Sequence, residues 1–283
     1  MQLSVCITTV NAVDALDSCL KALWQSTIKP SYVVVSDDSL ASEIQQQNRR
    51  IVEQYPHTEY VIGPHRGVCA NRNWALKNLP PSDFIAFIDD DICVAPNYIA
   101  NALNRYQSLK PEARQQTFLT GGTPTKLSFR GFFCQSDRPL CVDLHTAVFP
   151  AAFFMVEKWD EKIFFGYEDA LLCLQAIKQG YSILHCPELK VVDTRSGKST
   201  LNNIDGIGKL TKYDTYIEAA RLYVGIKRYK DIFPNSLKLV GFLLIYFIHM
   251  NTYLLKKDAI TAWSEIVKYS HFEDFLFEAI QFK

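Results

Sequence analysis

Short apolar runs rich in β-branched residues alternate with amphipathic stretches through the first third of the chain. Residues 3–9, 32–36, 59–62 and 84–88 have the length and composition of strands, and helical patterns lie between them at 14–24, 42–55 and 67–79. Strands alternating with helices predict an α/β, Rossmann-like fold, a mostly parallel central sheet flanked by helices on both faces. Residues 118–156 break this rhythm. Their aromatics, together with Gly121-Gly122-Thr123-Pro124 and Arg130-Gly131, predict irregular strands and loops. A helix over about 168–179 follows, with Gly180 as its C′ glycine, and then a strand over 189–192. From about Tyr213 the pattern is helical to the end, and a composition shift near Lys209 divides the chain into 1–208 and a helical C-terminal appendage, 209–283.

Composition changes this picture little. With 48% hydrophobic and 21% charged residues among 283, the whole chain is expected to fold. Thirty basic and thirty acidic residues cancel, which removes the long-range field that gathers nucleic acid, so no nucleic-acid partner is expected. Locally, Lys209, Lys212, Arg221, Lys227, Arg228, Lys230 and Lys238 outnumber Asp205, Asp214, Glu218 and Asp231, a mild basic patch. The eight cysteines lack a C-x-x-C pairing, and most sit in apolar runs. That usage suggests buried thiols in a reducing compartment. The chain begins with a strand-like run rather than a basic segment and a long apolar one, so a cytoplasmic location is expected.

Residues 239–248 carry no charge, yet a spanning helix wants about 20 apolar residues, so the run reads as a buried or interfacial helix. Basic neighbours and Tyr253, Trp263 and Tyr269 suit the second reading, peripheral contact with the inner face of a membrane.

In parallel sheets ligands bind beyond the carboxyl ends of the strands. Three polar strand ends qualify here: Thr8-Thr9, Asp37-Asp38 and Asp89-Asp90-Asp91. The aspartate triplet suits a hard divalent cation shared with phosphates, or else a solvated acidic turn. Asp37-Asp38 suits hydrogen bonds to a nucleoside, or an N-cap or turn. Glu168-Asp169 opens an amphipathic helix, where the dipole keeps a carboxylate ionised and fit to act as a base, or where acids merely favour the helix start. Phe132, Phe133, Phe153 and Phe154 read as core, and Trp159 as a residue able to line an acceptor site. His57, His65, His145 and His271 show no ligand-like spacing.

The order and separation of these pieces resemble a family 2 glycosyltransferase of the GT-A fold, over roughly the first two hundred residues. Ser4-Val5-Cys6-Ile7-Thr8-Thr9 and Leu23-Trp24-Gln25-Ser26 resemble the family's opening strand and helix, and Val33 to Ser39 its second strand with the nucleotide-contacting aspartate. Gly67-Val68-Cys69-Ala70-Asn71-Arg72-Asn73 is similar to its Gly-x-x-x-Ala-Arg-Asn segment, with Asn71 in place of Ala. Phe87-Ile88-Asp89-Asp90-Asp91 resembles its D-x-D motif. Trp159-Asp160-Glu161 through Phe164-Phe165-Gly166-Tyr167-Glu168-Asp169 resembles the segment that holds the catalytic base. Many relatives carry a metal-binding His after the late strand, where this chain has Asp193-Thr194-Arg195-Ser196-Gly197.

The resemblance implies an inverting transfer of a sugar from a nucleotide diphosphate donor, UDP- or dTDP-linked, to an acceptor hydroxyl. The acceptor would be a saccharide or lipid-linked molecule of surface polysaccharide or glycolipid assembly. A nucleotide-binding half would cover about 1–92 and an acceptor half about 93–208. Thr8 and Asp37 or Asp38 would contact the nucleoside, and Arg72 would lie near the base or phosphates. Asp89, with Asp90 beside it, would meet the ribose or a metal-bound water, while Asp91 and Asp193 would hold Mg²⁺ or Mn²⁺. Asp169 would deprotonate the acceptor. Two rivals are a degenerate homologue that binds without turnover and a sugar nucleotidyltransferase. The latter wants a glycine-rich basic loop after the first strand, which Thr8-Thr9-Val10-Asn11-Ala12 is not.

Overall fold

The computed structural model describes residues 1–194 and 206–281. Arg195, Ser196, Gly197 and Asp205, which entered the sequence reading, lie outside the described residues. The first half runs β1 (Leu3–Thr9), α1 (Val13–Trp24), β2 (Val33–Asp37), α2 (Ser42–Val52), β3 (Thr58–Ile62), α3 (Val68–Asn78), β4 (Phe84–Asp89), β5 (Ile92–Val94), α4 (Tyr98–Ser108) and the single turn α5 (Pro111–Arg114). There follow β6 (Thr117–Thr120), β7 (Thr125–Leu127), β8 (Phe133–Gln135), β9 (Phe149–Pro150), α6 (Glu168–Lys178), β10 (Ser182–His185) and β11 (Val191–Asp193). The chain ends in α7 (Lys212–Lys227), α8 (Ser236–Lys256), α9 (Trp263–Tyr269) and α10 (Phe272–Gln281).

The main sheet has the order β3-β2-β1-β4-β9, with β1, β2, β3 and β4 parallel and β9 antiparallel at one edge. Alternation along the strands sends side chains to two cores. Leu3, Val5 and Ile7 pack with α1 and α4 on one face. Cys6, Val34, Ile85 and Phe87 pack with α3, α6 and the rings of Phe149, Phe153, Phe154 and Trp159 on the other. This is the expected α/β architecture. Because the strands are parallel and in register, their polar ends arrive together: Thr8 stands opposite Asp89, and Thr9 opposite Asp37.

Some expectations shift. The strand read at 189–192 is β11, because Leu189 closes a turn by donating its N–H to the Cys186 carbonyl. Helix α2 stops short of residue 55, where Gln54 and Tyr55 bond three residues back in a tightened last turn ahead of Pro56. Gly180 takes a φ of +87° just after α6, as a C′ glycine should.

Most of the basic patch is paired within the chain, in part at its surface. Lys209 pairs with Asp258, Lys212 with Glu265, Arg221 with Glu218 and Lys227 with Asp231, while Arg228 donates to the Leu127 and Ser128 carbonyls. Nor is α7 a loose appendage. Ala220, Tyr223 and Val224 share the core of Phe87 and Trp159, and the Tyr223 hydroxyl donates to Asp160 at 2.8 Å. Helix α8 then packs on α7 through Phe242, Tyr246, Met250 and Leu254.

Candidate active site

A cavity of about 540 Å³ opens at the carboxyl ends of the parallel strands, a size that suits a small-molecule ligand. One end is walled by Thr8 and Thr9 at the end of β1 with Val10 and Asn11 after it, Asp38 after β2, His65 after β3, and Gly67, Val68 and Asn71 at the start of α3. Asp89, Asp90 and Asp91 line it with Asp193 and His145, and Phe164, Phe165 and Tyr213 supply aromatic surface.

The two aspartates at the end of β2 have opposite fates. Asp37 is fully buried, and its carboxylate accepts from Ser39 N–H (2.8 Å), Asn48 Nδ2 (2.9 Å) and the Tyr60 hydroxyl (2.9 Å). It serves as a strut that ties β2 to α2 and β3 and does not line the cavity, so of the two aspartates expected at a nucleoside only Asp38 is placed to meet a ligand there. The Asp38 Oδ1 accepts from the His65 N–H at 2.9 Å, and the His65 ring Nδ1 lies 3.0 Å from the Asp38 carbonyl. Burial raises the Asp38 carboxyl above its usual range, and His65 partly offsets that. Asn71, the departure from the family's Ala, is 3% exposed and exchanges hydrogen bonds with both the hydroxyl and the carbonyl of Ser36. The amide therefore clamps α3 to β2 directly beneath this end of the cavity.

Arg72 is not on the cavity wall. It is 2% exposed and donates to Asp89 Oδ1 (3.1 Å) and Glu168 Oε1 (2.8 Å), with its guanidinium over the Trp159 ring at 5.2 Å. The structure thus puts Arg72 behind Asp89 rather than on the cavity wall, where it holds that carboxylate in place. Trp159 is likewise withdrawn into the core at 2% exposure and lines no acceptor site, and Phe133, read as core, stands exposed and stacked on Tyr167. Burial alone would raise the Asp89 carboxyl; Arg72, His145 and the Thr8 hydroxyl overcome it and hold Asp89 below the usual carboxylate range.

The carboxylate of Asp90 accepts from the Val10 N–H at 3.4 Å. Asp91 and Asp193 come together because β11 pairs antiparallel with β5, and Thr194 donates both N–H (2.9 Å) and hydroxyl (2.8 Å) to the Asp91 carbonyl. Among the described residues no three His, Cys, Asp or Glu side chains form a ready cage for a metal ion. Two hard carboxylates on one wall still fit Mg²⁺ or Mn²⁺, since such ions are commonly held by one or two carboxylates and completed by substrate phosphates.

Asp169 sits half-buried in the first turn of α6, aimed by an unusual entry. Gly166 has a φ of +83°, and a Cβ there would stand 2.4 Å from Ile217; Tyr167 follows in the left-handed region at +60°. Burial first, then the adjacent Glu168 carboxylate, push the Asp169 carboxyl up to about 7, although the Ala170 N–H and Arg72 pull the other way. Asp169 does not line the cavity, but Arg72 links the two places by donating to Asp89 on the cavity wall and to Glu168 beside Asp169.

His145 was invisible to sequence spacing. It rides a 3-10 turn, Leu144–Thr146, pinned by the Thr146 hydroxyl, which accepts from the N–H groups of Gly121 and Gly122 (both 3.0 Å) and donates to the Asp143 carbonyl. The turn brings its Nδ1 to 3.8 Å from Asp89 Oδ2. His65 is legible from its position, three residues beyond the end of β3 and so among the strand-end loops where Asp38 also lies.

A mostly parallel sheet with an acidic triplet at the strand ends, and a helix opening on Glu168-Asp169 nearby, is the GT-A arrangement. Residues 4–157 match the family described as Glycosyl transferase family 2, and the chain belongs to that family. No curated protein matches the chain. Among solved structures it resembles S. aureus TarS 1-349, with 16% identity and a TM-score of 0.58 over 95% of this chain and 81% of that one. The same TarS fragment in complex with UDP matches with a TM-score of 0.59, at 16% identity and the same coverage. Its complex with UDP-GlcNAc matches with a TM-score of 0.56 over 95% and 79%, again at 16% identity. At this identity the likeness establishes the fold.

Proposed function

We propose that the protein is an inverting glycosyltransferase that takes its sugar from a UDP-linked donor, or from dTDP as the second choice, and delivers it to an acceptor hydroxyl. The observation that carries this reading is the convergence of Thr8, Asp38, Asp89, Asp91 and Asp193 on one cavity at the strand ends. UDP is favoured because the similar fragment of TarS is described in complex with UDP and with UDP-GlcNAc. The nucleoside lies against Thr8, Asp38, His65 and Asn71, and the diphosphate lies toward Asp91 and Asp193. When bound there, Mg²⁺ or Mn²⁺ supplies positive charge against the departing diphosphate. Asp169 takes the proton of the acceptor hydroxyl, that oxygen forms a bond to the anomeric carbon, and the bond from that carbon to the diphosphate breaks with its electron pair. Arg72 keeps Asp89 and Glu168 in place throughout.

Calorimetric titration with UDP, GDP and dTDP, each with and without Mn²⁺, tests the reading. Metal-dependent binding of UDP is the expected result. Failure of all three nucleotides to bind would remove the donor site and leave the degenerate homologue as the better account, with Asp193 the first residue to examine.

A further inference from the structure

Helix α8 buries one face and leaves the other uncovered. Phe242, Tyr246, Met250 and Leu254 point into the protein, while Leu237 (88% exposed), Val240, Leu244 (60%), Ile248 (66%) and Leu255 point outward. The outward residues recur at the true helical period, so they form a straight stripe along the axis and not the slanting seam of a coiled coil. A straight stripe suits a flat partner. Phe129 widens it: the ring is partly exposed and lies against Gly241, where a Cβ would stand 3.3 Å away.

Along α8 itself the charge has one sign. Helix α8 contains no Asp or Glu. Lys238 and Lys256 are exposed and about five turns apart, which returns them to the same flank of the stripe. Arg130, next to Phe129, is exposed as well, and its carbonyl is held by buried Arg221 under α8. Long basic side chains beside an apolar band can extend to anionic headgroups while their stems stay with the acyl region.

We infer that the outward face of α8, with Phe129, Lys238, Lys256 and Arg130, docks the protein in the headgroup region of an anionic bilayer, with the helix lying in the membrane plane. Length and composition alone would let α8 cross a bilayer. Its packing argues for lying flat. The Arg221–Glu218 ion pair and the bond from the Tyr246 hydroxyl to the Glu218 carbonyl (2.8 Å) sit against the middle of the helix, a place that crossing would carry into hydrocarbon. The inference is independent of the donor-site reading, because none of these residues lines that cavity.

Flotation of the full chain with phosphatidylcholine vesicles, with and without phosphatidylglycerol, tests it. The protein should float with the anionic vesicles and stay behind with the neutral ones, and recovery should fall with added salt. The pair Lys238→Gln and Lys256→Gln should weaken anionic binding roughly thirtyfold, and the pair Leu244→Ser and Ile248→Ser should abolish it, with circular dichroism unchanged in both. If the serine pair fails to fold, the lysine pair still decides. No flotation with anionic vesicles, or flotation unaffected by either pair, overturns the inference. So does a concentration-dependent dimer in sedimentation equilibrium that the serine pair dissolves, since the stripe would then belong to a second copy of the chain.

Discussion

Arg72 serves two carboxylates from a position with almost no contact with water. Replacing it by Met leaves Asp89 and Glu168 without their shared counter-charge, and removing one partner of a buried pair typically costs about 3 kcal/mol or more. Urea unfolding of Arg72→Met should show a loss of that order, together with loss of activity. Asp169 makes a sharper case. As the proposed base it must be ionised, so turnover should rise with pH through about 7, and Asp169→Asn should lower kcat by roughly 10² to 10⁴ while the affinity for UDP stays the same. Its raised pKa also means that the folded state holds the proton more tightly than the unfolded chain. That contribution to stability is complete below about 4 and is lost as pH rises through about 7. Asp169→Asn should therefore melt above the wild type at pH 8 and level with it near pH 4. A variant that is inactive and no more stable at pH 8 would mean that the carboxyl is not under the strain assigned to it.

Elements carry these residues to their places, and α7 shows how. Its first turn is fixed by a reciprocal capping box, in which the Thr211 hydroxyl accepts from the Asp214 N–H and the Asp214 carboxylate accepts from the Thr211 N–H. Two residues beyond the cap, Tyr213 forms part of the cavity wall beside Phe165. Thr211→Ala should cost about 1 kcal/mol, seen as a fall of roughly 2–4 °C in Tm, and should raise the KM for the donor more than it lowers kcat. The strands and helices of the first half were legible in the sequence because each has one repeating pattern and a clear stop, and so the acidic strand ends were legible too. Residues 118–156 were not. Strands of two to four residues such as β6 and β9 hold no period long enough to read, and pairings such as β5 with β11 join segments far apart in sequence. His145 reaches the cavity by that kind of route, and Asp37 and Asp38, adjacent and alike on paper, part company only because Asn48 and Tyr60 wait on the inner side.

Over the whole molecule, the division drawn near residue 208 marks a change in pattern and leaves the core undivided. Ala220, Tyr223, Val224 and Ile232 fill the same interior as Cys6, Phe87 and Phe149. A chain cut after 208 would expose that interior, and it should be recovered as aggregate or lack a cooperative melting transition; a soluble, cooperatively folded 1–208 would show that α7 is dispensable to the core. The cavity has the same reach, from Thr8 to Tyr213. During synthesis, therefore, the first strand is laid down long before the wall that closes over its end. A nascent chain on the ribosome can gather most of its sheet but not a finished cavity until Tyr213 has emerged. A stall or cleavage between Asp91 and Tyr213 should therefore yield a fragment with the acidic motif intact and the cavity wall unfinished.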